Sequence, residues 1–163
     1  MTPKTEAIIL SLHAKSDTSS LLEVYTRNEG RSSYLVFGNK WRSTLQPMAI
    51  VELTSQGNPA REMRTLSSAT RLFVPQKNDI THTCLMLFMA EAIEKSLRHP
   101  MEDETLFDWL ISQIKKLDQT DELQMFPNEF LVALSEQLGY GGVILDEWRG
   151  LKSLDIIQTV LLQ

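Results

Sequence analysis

The sequence predicts an α+β protein in which a small N-terminal β-barrel of five strands is followed by a C-terminal α-helical domain. Two observations carry this prediction. Before Pro75, apolar residues alternate with polar residues in short runs, which is the period of half-buried strands. After Asn78, apolar residues recur at helical spacing in longer runs. We therefore expect the barrel over residues 1–77 and the helical domain over residues 78–163.

The centre of the expected barrel is a hairpin over residues 21–37 that turns at Gly30. Leu22 and Val24 point to one side of its first strand and Glu23 points to the other. A glycine supplies the positive φ angle that a short hairpin loop needs. The remaining strands are expected over residues 6–12, 48–53 and 62–69.

Five short strands of this kind match an open Greek-key barrel of the oligonucleotide/oligosaccharide-binding (OB) type. Polar turn clusters at residues 15–20 and 55–59 separate the strands at the spacing that such a barrel needs. An SH3-like barrel fits the same strand pattern nearly as well, so the sequence leaves both barrel types open.

The C-terminal half predicts four helices. The first runs from about Ile80 to Leu97 and is apolar on most of its circumference, so we expect it at the centre of a second core. Cys84 has apolar neighbours and is expected to be buried in that core. The further helices are expected from near Glu102 to Leu117, from Pro127 to Leu138 and from Ser153 to Leu161.

The net charge of −5 hides a difference between the two halves. Residues 1–77 contain ten Lys and Arg against six Asp and Glu, a net charge of +4, whereas residues 78–163 carry six against fifteen, a net charge of −9. Such a split suggests two surfaces with different partners. A chance uneven distribution over two solvated faces would give the same numbers.

The sequence contains no constellation of residues typical of an enzyme, so we predict a non-enzymatic protein without catalytic residues, metal ligands or cofactor. The three histidines are far apart, and Cys84 is the single cysteine. The glycine-rich residues 139–142 lack the Lys-Ser/Thr pair that completes a phosphate-binding loop.

The sequence also indicates a cytoplasmic protein without a membrane partner. Residues 1–3 lead directly into a strand pattern, so no signal peptide is expected at the start. The longest apolar run, residues 84–90, is far too short to span a bilayer.

The connector between the third and fourth strands indicates a binding surface, because Lys40, Trp41 and Arg42 place two cations beside an aromatic ring. Arg27 and Arg31 flank the hairpin turn. Barrels that bind single strands track phosphates with cations and stack bases on aromatic rings. These five residues are therefore our candidates for nucleic-acid contact. In the alternative interpretation, Trp41 packs at the end of the barrel and the cations only keep the loop soluble.

Several segments are similar to a known family. They are residues 5–10 (TEAIIL), residues 17–31 (DTSSLLEVYTRNEGR), residues 45–53, residues 138–141 (LGYG) and residues 151–154 (LKSL). In this order they resemble the RecO family of bacterial recombination mediators and DNA-repair proteins. The long match over residues 17–31 is the most specific, and together the segments span nearly the whole chain.

The resemblance implies an OB barrel followed by a helical domain, with no nucleotide cofactor. It also implies binding of single- and double-stranded DNA, strand annealing, and joint action with RecR and with the acidic, apolar tail of single-stranded DNA-binding protein. We therefore expect a RecO-like protein of recombinational DNA repair that binds single-stranded DNA through its barrel. The alternative is a protein-interaction module of the same fold that has lost useful DNA affinity.

The chain differs from the family pattern in three respects. Only residues 143–150 separate the LGYG turn from the C-terminal match, so the four-cysteine zinc finger of many members is expected to be absent. The connector that contains Lys40 is shorter than usual. The helical half is strongly acidic.

Overall fold

The structure is a computed structural model, and it describes residues 3–58, 60, 63–97 and 99–140. Five strands are followed by three helices, as the sequence predicts. The expected fourth helix and the LKSL segment lie outside the described residues. The strands are β1 (Lys4–Ala14), β2 (Ser19–Thr26), β3 (Gly30–Phe37), β4 (Ile50–Gln56) and β5 (Arg64–Phe73), and the helices are α1 (Ile80–Ser96), α2 (Glu104–Gln119) and α3 (Phe126–Gln137).

The five strands close into a barrel in the order β1-β2-β3-β5-β4. The pairs along the barrel are antiparallel except for β3 and β5, which run parallel where Tyr34 and Leu35 face Arg64 and Thr65. A closed five-stranded barrel with this order confirms the OB-type prediction.

Strand β1 is apolar on both faces, because it takes part in two cores at once. Ala7 and Ile9 point into the barrel, whereas Ile8 and Leu10 pack against the helices. This explains why Ile9 interrupts the simple alternation of the sequence. The barrel interior contains Ala7, Ile9, Leu22, Val24, Tyr34, Val36, Leu45, Ala49, Val51, Leu53, Leu66 and Ala69.

The second core joins the outer face of the barrel to the three helices. The barrel contributes Ile8, Leu10, Tyr25, Met48 and Ile50 to it. The helices contribute residues such as Met89, Phe107 and Phe130, which are completely or almost completely buried. The two halves of the chain therefore share one continuous apolar cluster. The expected domain boundary at residues 77 and 78 lies in the segment between Phe73 and Ile80, and it stays a prediction.

At the hairpin turn, the backbone of the helical half lies very close to the barrel. Gly30 has a φ angle of 71°, as the sequence predicts for this turn. The Oγ1 of Thr26 donates to the carbonyl oxygen of Gly30 at 3.1 Å and accepts the backbone N–H of Glu29 at 3.1 Å. A Cβ atom at position 30 would overlap the backbone of Met101, which lies between α1 and α2. Gly30 is therefore needed both for its φ angle and for this close approach.

Helix α1 corrects one expectation, since the described structure buries it on one face only. Its buried residues are His82, Leu85, Met89, Ala90 and Ile93, which form a single stripe at helical spacing. Cys84 lies on the opposite face and is exposed, so the expectation of a buried cysteine was wrong. As expected, α1 takes part in a second core, because its buried apolar residues belong to the cluster that the described parts of the barrel, α2 and α3 form with it.

The acidic residues at the start of α2 have the structural role that their position suggests. Asp103 is the N-cap, and its Oδ1 accepts the backbone N–H of Leu106 at 2.9 Å. Near the other end of α2, Oδ1 of Asp118 accepts the backbone N–H groups of Gln76 and Lys77 at 2.7 and 2.9 Å. The linker between the barrel and α1 is thereby attached to α2.

None of the three described helices is long and apolar enough to cross a bilayer.

Candidate nucleic-acid interface

The five residues predicted to contact nucleic acid lie at opposite ends of the barrel. The hairpin end holds Arg27 and Arg31, together with the start of β1 and β5. The other end, where β3 ends and β4 begins, holds the connector with Lys40, Trp41 and Arg42.

Arg27 joins the barrel to α2. Its guanidinium donates from Nε to Oε2 of Glu6 at 2.9 Å, and its Nη1 lies 2.8 Å from Oδ1 of Asp108. The same group lies over the ring of Phe107, 4.6 Å from the ring centroid. Burial opposes the charge, but the hydrogen bonds to the two carboxylates outweigh it and raise the pKa of Arg27. The guanidinium is therefore engaged within the protein.

Arg31 is engaged in a similar way at the C-terminal end of α1. Its Nη1 donates to the carbonyl oxygen of Glu94 at 2.5 Å and to that of Leu97 at 3.5 Å, and its Nη2 lies 3.4 Å from Oε2 of Glu23. A cation is favourable at this end of a helix, because the last carbonyl groups point outward without helical partners. The predicted DNA contacts of Arg27 and Arg31 stay predictions, and both side chains connect the barrel to the helices.

The connector itself is a compact turn whose two cations are exposed. The carbonyl oxygen of Trp41 accepts the backbone N–H groups of Thr44 and Leu45, both at 2.9 Å. Trp41 packs against the barrel interior, and the Nζ of Lys40 lies 4.6 Å from the centroid of its ring. The packing role considered for Trp41 is therefore present, and Lys40 covers part of its ring. Arg42 is exposed beside them.

Met48 fixes the end of the connector at the barrel wall. It has a φ angle of 65°, which is uncommon for a residue with a side chain. Its backbone N–H donates to the carbonyl oxygen of Ile9 at 2.8 Å, and the N–H of Ile9 donates to Ala49 at 2.9 Å. Its side chain is fully buried in the second core. Packing and hydrogen bonds together hold this backbone conformation.

Three residues that the sequence interpretation missed lie at the same end of the barrel. Phe37 ends β3 and is 54% exposed. Arg71 donates from Nη2 to the Oγ of Ser43 in the connector at 3.1 Å. Lys15 belongs to the β1–β2 turn, which reaches the connector where the backbone N–H of Gly38 donates to Thr18 at 3.0 Å. We define the connector surface as Lys15, Phe37, Lys40, Trp41, Arg42 and Arg71.

The positive charge of the barrel half is concentrated on the connector surface. Elsewhere, the described acidic residues of the strands and of the hairpin turn are each paired with a cation: Glu52 with Lys4, Glu6 with Arg27, Glu23 with Arg31, and Glu29 of the turn with Arg64. Among the described residues of the barrel, the cations that make no ion pair are Lys15, Lys40, Arg42 and Arg71. All four belong to the connector surface.

In the part of the chain that the structure describes, the possible metal ligands do not cluster. Within these residues, no group of three or more His, Cys, Asp or Glu side chains could hold a metal ion. The arrangement of the connector surface suits another purpose. Exposed cations beside an exposed ring can attract phosphates and provide a stacking platform for bases.

Comparison with known proteins identifies the relatives of this chain. Residues 1–73 match the family model for the N-terminal part of recombination protein O, and residues 77–143 match the model for its C-terminal part. The chain is 29% identical over 153 residues to a DNA repair protein RecO from Phocaeicola vulgatus, and 27% identical over 161 residues to one from Porphyromonas gingivalis.

These alignments cover 85% and 88% of this chain, but 61% and 66% of the two relatives. The chain therefore spans about three fifths to two thirds of the length of these proteins. Both family models together match most of the chain and place its barrel and its helices in the same order. The chain belongs to the RecO family.

Proposed function

We propose that this protein acts in recombinational DNA repair and binds single-stranded DNA through the connector surface. The observation that carries the proposal is the concentration of unpaired cations there, beside the exposed ring of Phe37. Family membership supports the repair role, since the matched relatives are named DNA repair proteins. In this proposal the protein is not an enzyme. It acts in the cytoplasm with partner proteins, RecR and single-stranded DNA-binding protein among them.

The proposed site reads DNA by charge and stacking. Lys15, Lys40, Arg42 and Arg71 contact phosphates, and Phe37 stacks on a base. Trp41 holds the connector in place by packing on the barrel, and it offers its ring to DNA only when Lys40 moves away. Such a surface tolerates any sequence, because all bases have an apolar face and all phosphates carry the same charge.

A titration of a fluorescently labelled oligothymidine at several salt concentrations tests this proposal. Single-stranded binding loses affinity with a slope of about −0.7 in log K against log salt for each neutralised phosphate. Four phosphate contacts thus predict a slope of about −3, or roughly a 50-fold loss between about 50 and 200 mM salt. Replacing Lys40 and Arg42 together by alanine is expected to weaken binding and to flatten the slope by about 1.4.

The matched control removes two lysines that lie outside the connector surface. Lys4 opens β1 and Lys95 lies in the last turn of α1, so Lys4→Ala with Lys95→Ala causes the same change in net charge. We expect this control to retain the salt slope. Equal weakening by both double variants would mean that only the overall charge matters, and the connector surface would then not be the binding site.

A protein-interaction module without DNA affinity remains the second candidate. It is favoured by the contacts of Arg27 and Arg31 with carboxylate and carbonyl groups of the protein. These contacts leave fewer cations available for DNA than the sequence predicts. The same titration separates the two functions, because a module of this kind would not bind the oligonucleotide even at low salt.

A further inference from the structure

A groove opens where the connector, the linker after β5 and α1 meet. It has a volume of about 220 Å³. The connector lines it with Gln46 and Pro47, the linker with Pro75 and Asn78, and α1 with Met86 and Leu87. The apolar side chain of Leu87 is 52% exposed. Lys77 and Thr83 complete the described lining, which therefore combines apolar side chains with amides and two other polar groups.

The groove continues directly from the connector surface. Leu45, whose N–H donates to the carbonyl oxygen of Trp41 at 2.9 Å, is followed in the chain by Gln46. The backbone N–H of Ala49 then donates to the carbonyl oxygen of Gln46 at 3.0 Å, which fixes this side of the groove. The groove therefore begins only a few residues after the cations of the connector, so a DNA strand bound to those cations lies close to it.

The charged side chains around the groove, Lys77 against Asp79, Asp118 and Asp121, carry a net negative charge, which disfavours a phosphate as its occupant. Among the described residues that line it, the one cation is Lys77, whose Nζ lies 2.5 Å from Oδ1 of Asp121 and donates to the carbonyl oxygen of Thr120 at 3.2 Å. Asp118 accepts two backbone N–H groups of the linker. Asp79 accepts hydrogen bonds from His82. An acidic side chain inside the groove would be disfavoured for the same reason.

The size and polarity of the groove fit a neutral, flat group. Its volume lies below the roughly 300–1,000 Å³ of pockets that hold drug-sized ligands, so it admits a single ring system. The side chains of Pro47, Pro75, Met86 and Leu87 can cover the faces of a ring. The amides of Gln46 and Asn78 can bond to the polar groups at its edge.

We propose that this groove binds one unstacked base of the DNA strand whose phosphates lie on the connector surface. The inference rests on the proposed function and adds a base site to it. The groove accepts any base of suitable size, because apolar side chains form half of its described lining and side-chain amides can both donate and accept. Binding there turns the strand from the barrel toward the start of α1.

Two oligonucleotides of equal length separate base contacts from phosphate contacts. One is an oligothymidine, and the other is an abasic strand with the same number of phosphates. The groove variant of the full chain is Leu87→Gln, which removes apolar surface but keeps a residue that favours helix. Its control is Ile80→Gln, because Ile80 is 84% exposed on the same face of α1 but does not line the groove.

We expect Leu87→Gln to weaken binding of oligothymidine about fivefold and to leave binding of the abasic strand unchanged. Ile80→Gln should change neither affinity. Circular dichroism checks that each variant is folded, and Gln46→Ala, at an exposed connector position, provides a second groove variant that should also weaken oligothymidine binding selectively.

The possible outcomes distinguish failure of this inference from failure of the proposed function. If Lys40→Ala with Arg42→Ala weakens binding of both strands but neither groove variant affects oligothymidine, the base site does not exist and the DNA surface stands. Equal weakening of both strands by the groove variants would also overturn the base site. A wild-type protein that binds neither strand would overturn both proposals. The base site is also overturned if Leu87→Gln retains DNA affinity but loses binding of an acidic, apolar peptide.

Discussion

Arg27 was predicted from the sequence to contact DNA, but in the structure it contacts other parts of the protein. A substitution of Arg27 tests whether its role is to stabilise the fold. Its guanidinium contacts Glu6, Asp108 and the ring of Phe107, and so it bridges β2 and its neighbour β1 to α2. We choose Arg27→Met, because methionine retains much of the apolar stem of arginine and removes only the charge and its hydrogen bonds. The variant should therefore lower stability without creating a large cavity.

The expected loss of stability follows from the exposure of the partners. Asp108 is 65% exposed, so its ion pair contributes at most a few tenths of a kcal/mol, as surface pairs usually do. The pair with Glu6 is more protected, and the contact with the Phe107 ring contributes about 0.5–1 kcal/mol. Together these contacts predict that Arg27→Met lowers the free energy of unfolding by about 1.5 kcal/mol. In a chain of this length, that change lowers Tm by about 3–6 °C.

Urea unfolding followed by tryptophan fluorescence measures this loss, and an unchanged m-value would show that the variant still unfolds from the same compact state. A cycle with Glu6→Gln isolates the pairwise part of the effect. The same proteins are titrated with oligothymidine at two salt concentrations. We expect Arg27→Met to keep the salt slope of the wild type. A slope that flattens by about 0.7 with no loss of stability would show that Arg27 contacts DNA and that its role in the fold is minor.

The remaining predictions concern the turn and the buried tyrosine. In urea unfolding, Gly30→Ala should lower the free energy of unfolding by about 3 kcal/mol or more, because the added Cβ would overlap Met101. The control is Gly38→Ala, which is also at positive φ but has open space around it. This control should lower the free energy of unfolding by only about 1 kcal/mol. Tyr25→Phe should retain or raise stability at neutral pH, because the buried hydroxyl has no hydrogen-bond partner in the described structure. Burial, with a smaller contribution from Asp103, raises the pKa of Tyr25 to about 12. The unfolded chain releases this proton near pH 10, so wild-type stability should fall between pH 10 and 12 more steeply than that of the phenylalanine variant. Equal slopes in alkaline urea titrations would contradict this.

Local patterns were sufficient to predict the order of strands and helices. The hairpin with its turn at Gly30 and the N-terminal end of α1 follow from period and from turn residues, which act within a few positions of the chain. The burial of α1 could not be predicted in this way. Cys84 and Leu87 are as apolar as residues on the buried face, and only the position of the barrel decides which side of the helix is covered.

The candidate site was predictable in part for a similar reason. Lys40, Trp41 and Arg42 are neighbours in the sequence, and their grouping is visible without a structure. Phe37 could have been found, since it follows the inward-pointing Val36 and must point outward. The partners of Arg27 could not have been found, because Asp108 lies in the other half of the chain and approaches Arg27 only when the barrel and helices pack together.

The apolar character of both faces of β1 also affects how the strand finds its alignment. In a strand with one polar face, a slip by one residue would expose apolar side chains, and that cost fixes the register. In β1 the same slip would exchange Ala7 and Ile9 with Ile8 and Leu10, which are all apolar. Side-chain volume must then select the correct alignment, together with the irregular pairing between Ile9 and Ser11. Substitutions that change side-chain volume in this strand should therefore destabilise the protein more than its uniformly apolar residues suggest. The effect should be largest at the small residue Ala7.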